Sequence, residues 1–373
     1  MRKVVYALVP IFLLSVFLYG WRAILMPLVV FPLGILTEYL MEKAKKKAKT
    51  QVTEAVLVTS ALFSLSLPPG LPIWVAALGI IFSVVFGKMV FGGFGRNIFN
   101  PAITGRVFIY LAFPAMLGTL WMVPGAAANW DPMTLIMEWI PGGITSGGVD
   151  VITRATTMDW LKTAVGQAAP VYDSAVIAVN QAGQANNWLS MFLGFESGSM
   201  GETSALLIVL AGLYLMFTPV FKKNKDGTSK LSIQPTANYR MIIGTIVSAF
   251  AVMAAVFYLP DFISGFPLAP RRIEPVMGIL SGSILFVAVF MATDPVSGPK
   301  KPAAQWVYGI IIGSVSVLIR MFAGFPEGVS FGILVANTFA SLLDETIGKL
   351  GSKKKTTNKV PAAPKAPAQE VKA

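Results

Sequence analysis

Residues 148–160 read GVDVITRATTMDW, and within them Asp150, Thr153, Ala155 and Thr156 fall in a D-x-x-T-x-A-T spacing. Taken alone, such residues are turn material, because Asp and Thr side-chain oxygens satisfy nearby backbone N–H groups. A second chemistry is open to them. The chain has no histidine and no cysteine, so no neighbouring imidazole activates a threonine as a nucleophile. A threonine hydroxyl can instead accept a phosphoester from another enzyme, and the small Ala155 leaves room for that enzyme to approach. Both readings stand at this level.

A second set of residues is polar where the sequence is otherwise apolar: Glu38, Glu54, Glu202, Asp294, Asn337 and Asp344. A charge at mid-membrane costs about 2.5–3.5 kcal/mol or more, so such groups usually face a cavity or a pathway. Glu202 and Asp294 stand beside Gly/Pro-rich breaks and are expected on an ion pathway. Asp344, in SLLDE, reads equally as an interfacial cap. In FGGFGRNIFNPA (91–102) the match to a phosphate-binding glycine loop is incomplete and no strand precedes it. There the glycines are expected to allow close packing, with Asn97 and Asn100 serving backbone groups at a helix break before Pro101. The alternative for Asn100, as for Asn337, is direct contact with a cofactor or ion. No catalytic residue and no metal site is expected.

The elements that must position these residues lie in a membrane. The chain has 373 residues, 55% hydrophobic and 13% charged, where soluble domains carry about a quarter charged. Apolar runs long enough for helical spans recur. Ten are expected: 4–21, 24–41, 53–68, 72–90, 101–122, 203–220, 240–259, 274–292, 306–323 and 328–348. The first retains its N-terminal segment, since no small-residue cleavage site follows it. SLSLPPGLP closes the third span and MATDPVSGP the eighth, and broken helices of this kind survive only where protein or a water-filled cavity serves the freed backbone. The expected fold class is an all-α polytopic membrane protein of about ten helices, in two inverted five-helix repeats with broken helices. Its parts would be a first repeat (1–122), a long loop (123–202), a second repeat (203–348) and a disordered basic tail (349–373).

The net charge of +12 fits topology better than nucleic-acid binding. Alternate loops hold 24 of the 30 basic residues, which places both termini in the cytoplasm. The long loop, with seven acidic and two basic residues, then lies outside. Missing cysteine and histidine exclude disulfides, thiolate-held iron–sulfur clusters, His-ligated haem and ordinary zinc sites. Any redox work would need an organic cofactor.

Four blocks carry a family resemblance: GGFGRNIFNPAITGR (92–106), SGSMGETSALLI (197–208), MATDPVSGP (291–299) and FPEGVSFGILVANTFASLLD (325–344). With the motif at 150–156, they make the chain resemble a membrane protein shared by two complexes. One form is the D subunit of the Rnf-type ferredoxin:NAD oxidoreductase, the other the B subunit of the Na⁺-translocating NADH:quinone oxidoreductase. The resemblance implies FMN joined to Thr156 through a phosphoester by an exported flavin transferase, with Asp150, Thr153 and Ala155 completing the motif. Arg154 departs from the small residue usual there. It implies a non-covalent riboflavin too, for which no residue here can be named. It further implies a translocase component in a bacterial inner membrane, passing electrons among neighbouring subunits while Na⁺ or H⁺ moves. The short stretch before the first span favours the Rnf type over the quinone-reducing one. The competing reading from the residues is a redox-inactive solute channel or transporter, with a structural anchor behind it.

Overall fold

The computed structural model describes residues 1–45, 51–119, 188–194, 198–223, 229–233, 235–262, 275–322 and 328–357. Asp150, Thr153, Ala155 and Thr156 fall outside the described residues. In chain order the helices are α1 (Arg2–Tyr19), α2 (Trp21–Ala44), α3 (Glu54–Leu65), α4 (Ile73–Val84), α5 (Pro101–Ala112), α6 (Pro114–Thr119), α7 (Trp188–Leu193) and α8 (Ala205–Met216). A hairpin of β1 (Pro219–Lys223) and β2 (Ser229–Ile233) follows, then α9 (Tyr239–Phe262), α10 (Pro275–Leu280), α11 (Ile284–Phe286), α12 (Pro302–Phe322) and α13 (Gly328–Thr357). α4 runs into a π turn at Val85–Met89, and α11 into another at Val287–Met291.

The chain is an all-α polytopic membrane protein with one small hairpin. Each of the ten expected segments contains helix, but they differ in reach. Among the described residues, four helices are long and apolar enough to cross a membrane: Arg2–Tyr19, Trp21–Ala44, Tyr239–Tyr258 and Pro302–Phe322. α3, α5 and α8 have 12 residues each, about 18 Å at 1.5 Å per residue, against a hydrocarbon core of about 30 Å.

Local chemistry explains the breaks. α5 begins at Pro101 with Asn100 as its cap, the Asn100 side chain accepting the Ala102 N–H; proline at the first helical position loses only an N–H that had no partner. α5 stops at Phe113 because Pro114 disfavours helical geometry in the residue before it, which cuts the expected 101–122 span in two. The eighth span breaks at 281–283 as well as at its end, and Gly282 there has φ 74°, a conformation side chains resist. In 91–95 the glycines serve the same need more than packing: Gly92, Gly93 and Gly95 all have positive φ, and nothing lies near a Cβ at Gly95.

Two further differences stand out. β1 and β2 pair antiparallel, Pro219 opposite Ile233 and Lys223 opposite Ser229, where only a loop is expected from the sequence. α13 runs to Thr357, nine residues into the stretch expected to be disordered; a Glu345–Lys349 pair at 2.6 Å and lysines at a helix C-terminus, where the helix dipole favours cations, account for the extension.

The helices are turned inside out relative to a soluble protein. Leu13, Phe17 and Leu28 are over 60% exposed, while Ser15, Glu38, Lys88, Arg106, Glu202 and Arg320 are buried. α9 and α12 approach closely at Gly313, where a Cβ would lie 2.3 Å from the Thr245 carbonyl; small residues of this kind let membrane helices pack backbone to backbone.

Candidate functional site

A cavity of about 100 Å³ opens where the first π turn, the Asn97–Asn100 stretch, the loop after the second π turn and the start of α1 come together. Lys88, Asn97, Asn100, Thr293 and Asp294 line its polar side, Phe94 and Phe290 part of its apolar side. Asn100 holds the two halves of the chain together there. Its Oδ1 accepts the Ala102 N–H at 3.0 Å, and its Nδ2 donates to the Met291 carbonyl, at the end of the second π turn, at 3.3 Å. Asn97 donates to the Phe99 carbonyl at 3.1 Å. The Asp294 carboxylate accepts the Val296 N–H at 3.1 Å and the Ser297 hydroxyl at 2.8 Å, which folds the loop back on itself.

The ammonium of Lys88 is tied up. It donates to Glu38 Oε2 at 2.8 Å and Thr53 Oγ1 at 2.6 Å, and Thr53 in turn donates through its N–H and hydroxyl to Glu38 Oε1. Both charges are almost fully buried. A pair this deep is of little net gain when present but strongly destabilising when broken, so it fixes the π turn that carries the cavity wall. The cavity therefore offers a carboxylate, the hydroxyls of Thr59, Thr236 and Thr293, and two amides. That set suits a small polar or cationic guest, and it contains no nucleophile with a base beside it.

Farther along, residues 198–203 form a clamp on the broken end of α3. Carbonyls at a helix C-terminus lack helical partners. Here the Met200 N–H donates to the Leu67 carbonyl at 3.2 Å and the Gly201 N–H to the Leu65 carbonyl at 2.6 Å. The Ser15 hydroxyl reaches the Met200 carbonyl, and the Tyr19 hydroxyl that of Gly198 at 3.4 Å. Arg106 locks the segment: its Nη2 donates to Glu202 Oε1 at 2.9 Å and to the Ser199 hydroxyl at 3.1 Å, and both charged side chains are at most 2% exposed. A Cβ at Gly201 would meet the Phe286 ring at 2.8 Å and Leu65 Cβ at 2.9 Å, so the clamp touches both broken regions.

The break between α10 and α11 is served differently. Arg320, on α12, donates from Nη1 to the carbonyls of Gly278 at 2.8 Å and Ser281 at 3.2 Å.

Of the five residues expected on an ion pathway, Asn100 and Asp294 line the same cavity. Asn337 does not line it; its Oδ1 accepts the Tyr308 hydroxyl at 2.5 Å. Glu202 is elsewhere, in the Arg106 clamp. Asp344 is elsewhere too. Its two carboxylate oxygens accept the N–H groups of Lys300 and Lys301, at 2.8 and 2.9 Å, just before α12 starts. That is the interfacial cap which the sequence left as an equal alternative.

Arg106 and Arg320 do not stand out in the sequence as functional positions, and Arg106 and Lys88 fall there among the loop charges. Arg106 and Lys88 are buried against carboxylates, and without them 22 basic residues remain on the expected cytoplasmic side. The signal was present: an arginine inside an apolar run (TGRVFIYLA, VSVLIRMF) needs a partner within the bundle.

Comparison with known proteins matches the family model described as the NQR2, RnfD, RnfE family over residues 1–224 and 227–350. The chain is similar to the Na(+)-translocating NADH-quinone reductase B subunit of Azotobacter vinelandii, 32% identical over 89% of this chain and 68% of that protein. It resembles the protein of the same name from Pseudomonas aeruginosa PAO1 at 32% identity, covering 82% of this chain but only 62% of that protein. With the D subunit of the ion-translocating oxidoreductase complex of Halorhodospira halophila it shares 30% identity over 93% of this chain and 89% of the relative.

Proposed function

Because the chain belongs to the NQR2, RnfD, RnfE family, we propose that it is the electron-relaying membrane subunit of an Rnf-type complex, with FMN carried on Thr156. At the coarser level it is a multi-pass membrane subunit of a redox-driven, ion-translocating oxidoreductase, assembled with other subunits of that complex. The observation that carries the finer reading is the D-x-x-T-x-A-T motif at 150–156, inside the first stretch matched to the family. Relatives of both types match, the quinone-reductase B subunits at 32% identity and the D subunit of the ion-translocating oxidoreductase complex at 30%.

When bound, an isoalloxazine supplies reversible electron storage to a helix bundle that has no cysteine or histidine to hold a metal centre. The chain's own residues would carry the flavin on the outer side of a bacterial inner membrane, with both termini cytoplasmic. The basic residues still concentrated on one side after Lys88 and Arg106 are set aside support that topology. For the ion, Na⁺ or H⁺, the cavity with Asn100 and Asp294 is the proposed place of contact. Thr156 would be modified by an exported flavin transferase, and ferredoxin and NAD would be handled by neighbouring subunits.

The test is a denaturing gel under ultraviolet light, with protein from cells that contain the transferase. A fluorescent band in the wild type that is lost in Thr156→Val is expected. A dark wild-type band would favour a solute channel or transporter built on the same broken helices.

A further inference from the structure

The cavity beside Asn100 and Asp294 has one wall built by the first turn of α1. Met1 and Val4, three positions apart and so on one face, both line it. Met1 is also 36% exposed, which puts it at the rim, while Val4 packs against the core. The start of α3 forms another wall, where Ala55, Val58 and Thr59 line the cavity at three- and four-residue steps. Ala237 lines the cavity too and is only 2% exposed.

That first turn of α1 is weak on its own. Its cap residue, Met1, makes no side-chain hydrogen bond to it, and the turn holds no acidic residue. It carries Arg2 and Lys3 instead, positive charges at the end of a helix where the dipole is itself positive. Uncapped terminal turns fray at little cost in free energy. Apart from the packing of Val4, an ion pair across the rim ties this one down. Arg2 donates from Nε at 2.9 Å and from Nη2 at 2.5 Å to Oε1 of Glu54, the first residue of α3. The two side chains are 75% and 49% exposed, so the pair is of the surface kind. Such a pair shifts an equilibrium by a factor of a few and is screened by salt.

We propose that the first turn of α1 is a gate on this cavity, latched by the Arg2–Glu54 pair. With the pair made, Met1 and Val4 close that side of the mouth. With the pair broken, the turn frays and the cavity opens further to water on the face where Met1 lies. An exposed latch suits a gate because its charges part into water. A buried pair such as Lys88–Glu38 does not, since separating it strands two charges. The gate governs how readily a hydrated cation reaches Asp294, and that consequence rests on the cavity being the place of ion contact. The gate itself needs neither ion nor flavin.

The chain has no cysteine, so a single introduced thiol reports access without background. The test is the rate at which Ala237→Cys, in the full-length protein in lipid nanodiscs, reacts with a small cationic methanethiosulfonate, read by mass spectrometry of quenched samples. It is measured with Glu54 intact and with Glu54→Gln. Breaking the latch should speed the reaction about two- to five-fold, the span an exposed pair can supply. The same comparison on Lys300→Cys, an exposed position outside the cavity, should show no change. Salt at about 1 M, where the screening length is about 3 Å, should bring the two Ala237→Cys rates together by raising the rate with Glu54 intact. Equal rates with and without Glu54 at low salt, a rise of the same size at Lys300→Cys, or a gap that salt leaves unchanged would each overturn the gate. Failure of flavin attachment or of ion uptake leaves these rates untouched, so the gate and the proposed function can fail separately.

Discussion

The two broken helices pose one problem and receive two answers. At the end of α3, the exposed carbonyls of Leu65 and Leu67 are met by neutral backbone donors from Met200 and Gly201, a segment more than 130 residues away in the chain. At the break after α10, the carbonyls of Gly278 and Ser281 are met by a guanidinium on the neighbouring α12. The first solution needs a second device to keep the donors in place, and that device is the buried Arg106–Glu202 pair. At the second, Arg320 supplies the donors itself. A neutral cap is only as firm as whatever holds its segment. The segment at the first break follows, in sequence, the long stretch that contains Thr156.

Breaking the pair separates the two answers most strongly. Arg106→Leu leaves the Glu202 carboxylate buried without its arginine and is expected to destabilise the fold by about 3–5 kcal/mol, measured by denaturant titration of the purified chain. Arg106→Met with Glu202→Leu should recover most of that loss, because an apolar pair of similar volume removes the stranded charge. Arg320→Leu comes next, at roughly 2–4 kcal/mol, since it removes two hydrogen bonds from a charged donor. No second substitution nearby should rescue it. A rescue would show that the second break, too, depends on a remote partner.

Smaller effects sharpen the contrast. Gly201→Ala should cost about 1–3 kcal/mol through overpacking, since its Cβ would press on Phe286 and Leu65. Gly282→Ala is strained by its positive φ instead. Limited proteolysis of the loop should then speed up for the Gly201 variant and not for the Gly282 variant. Asp344→Ala is expected to have the least effect on the breaks. It frees the Lys300 and Lys301 N–H groups at the start of α12 and should cost about 1 kcal/mol, as loss of a helix cap does.

Much of the architecture was legible because membrane burial leaves a coarse signature. Each of the ten apolar runs contains helix among the described residues, and Asn100–Pro101 marked a helix start through chemistry that acts within four residues. What escaped were features set by distant partners. Whether Arg106 is a loop charge or half of a buried pair depends on Glu202, 96 positions away, and nothing local decides it. The pairing of β1 with β2 was masked by their lysines, although Leu231, Ser232 and Ile233 alternate as a strand does. Proline at 114 was a readable stop signal inside the run 101–122. Asp294 and Asn100 were both singled out as polar intruders, but their meeting at one cavity follows from the two π turns, which no residue pattern announced.

The central claim concerns a side chain on the long loop, and mass spectrometry of that loop tests it most directly. A peptide spanning Asp150–Trp160, cut from protein matured with the flavin transferase, should be heavier than its sequence by one FMN less a water, with fragment ions placing the addition on Thr156. The same peptide at its unmodified mass, or bearing the addition on Thr157, would contradict the account.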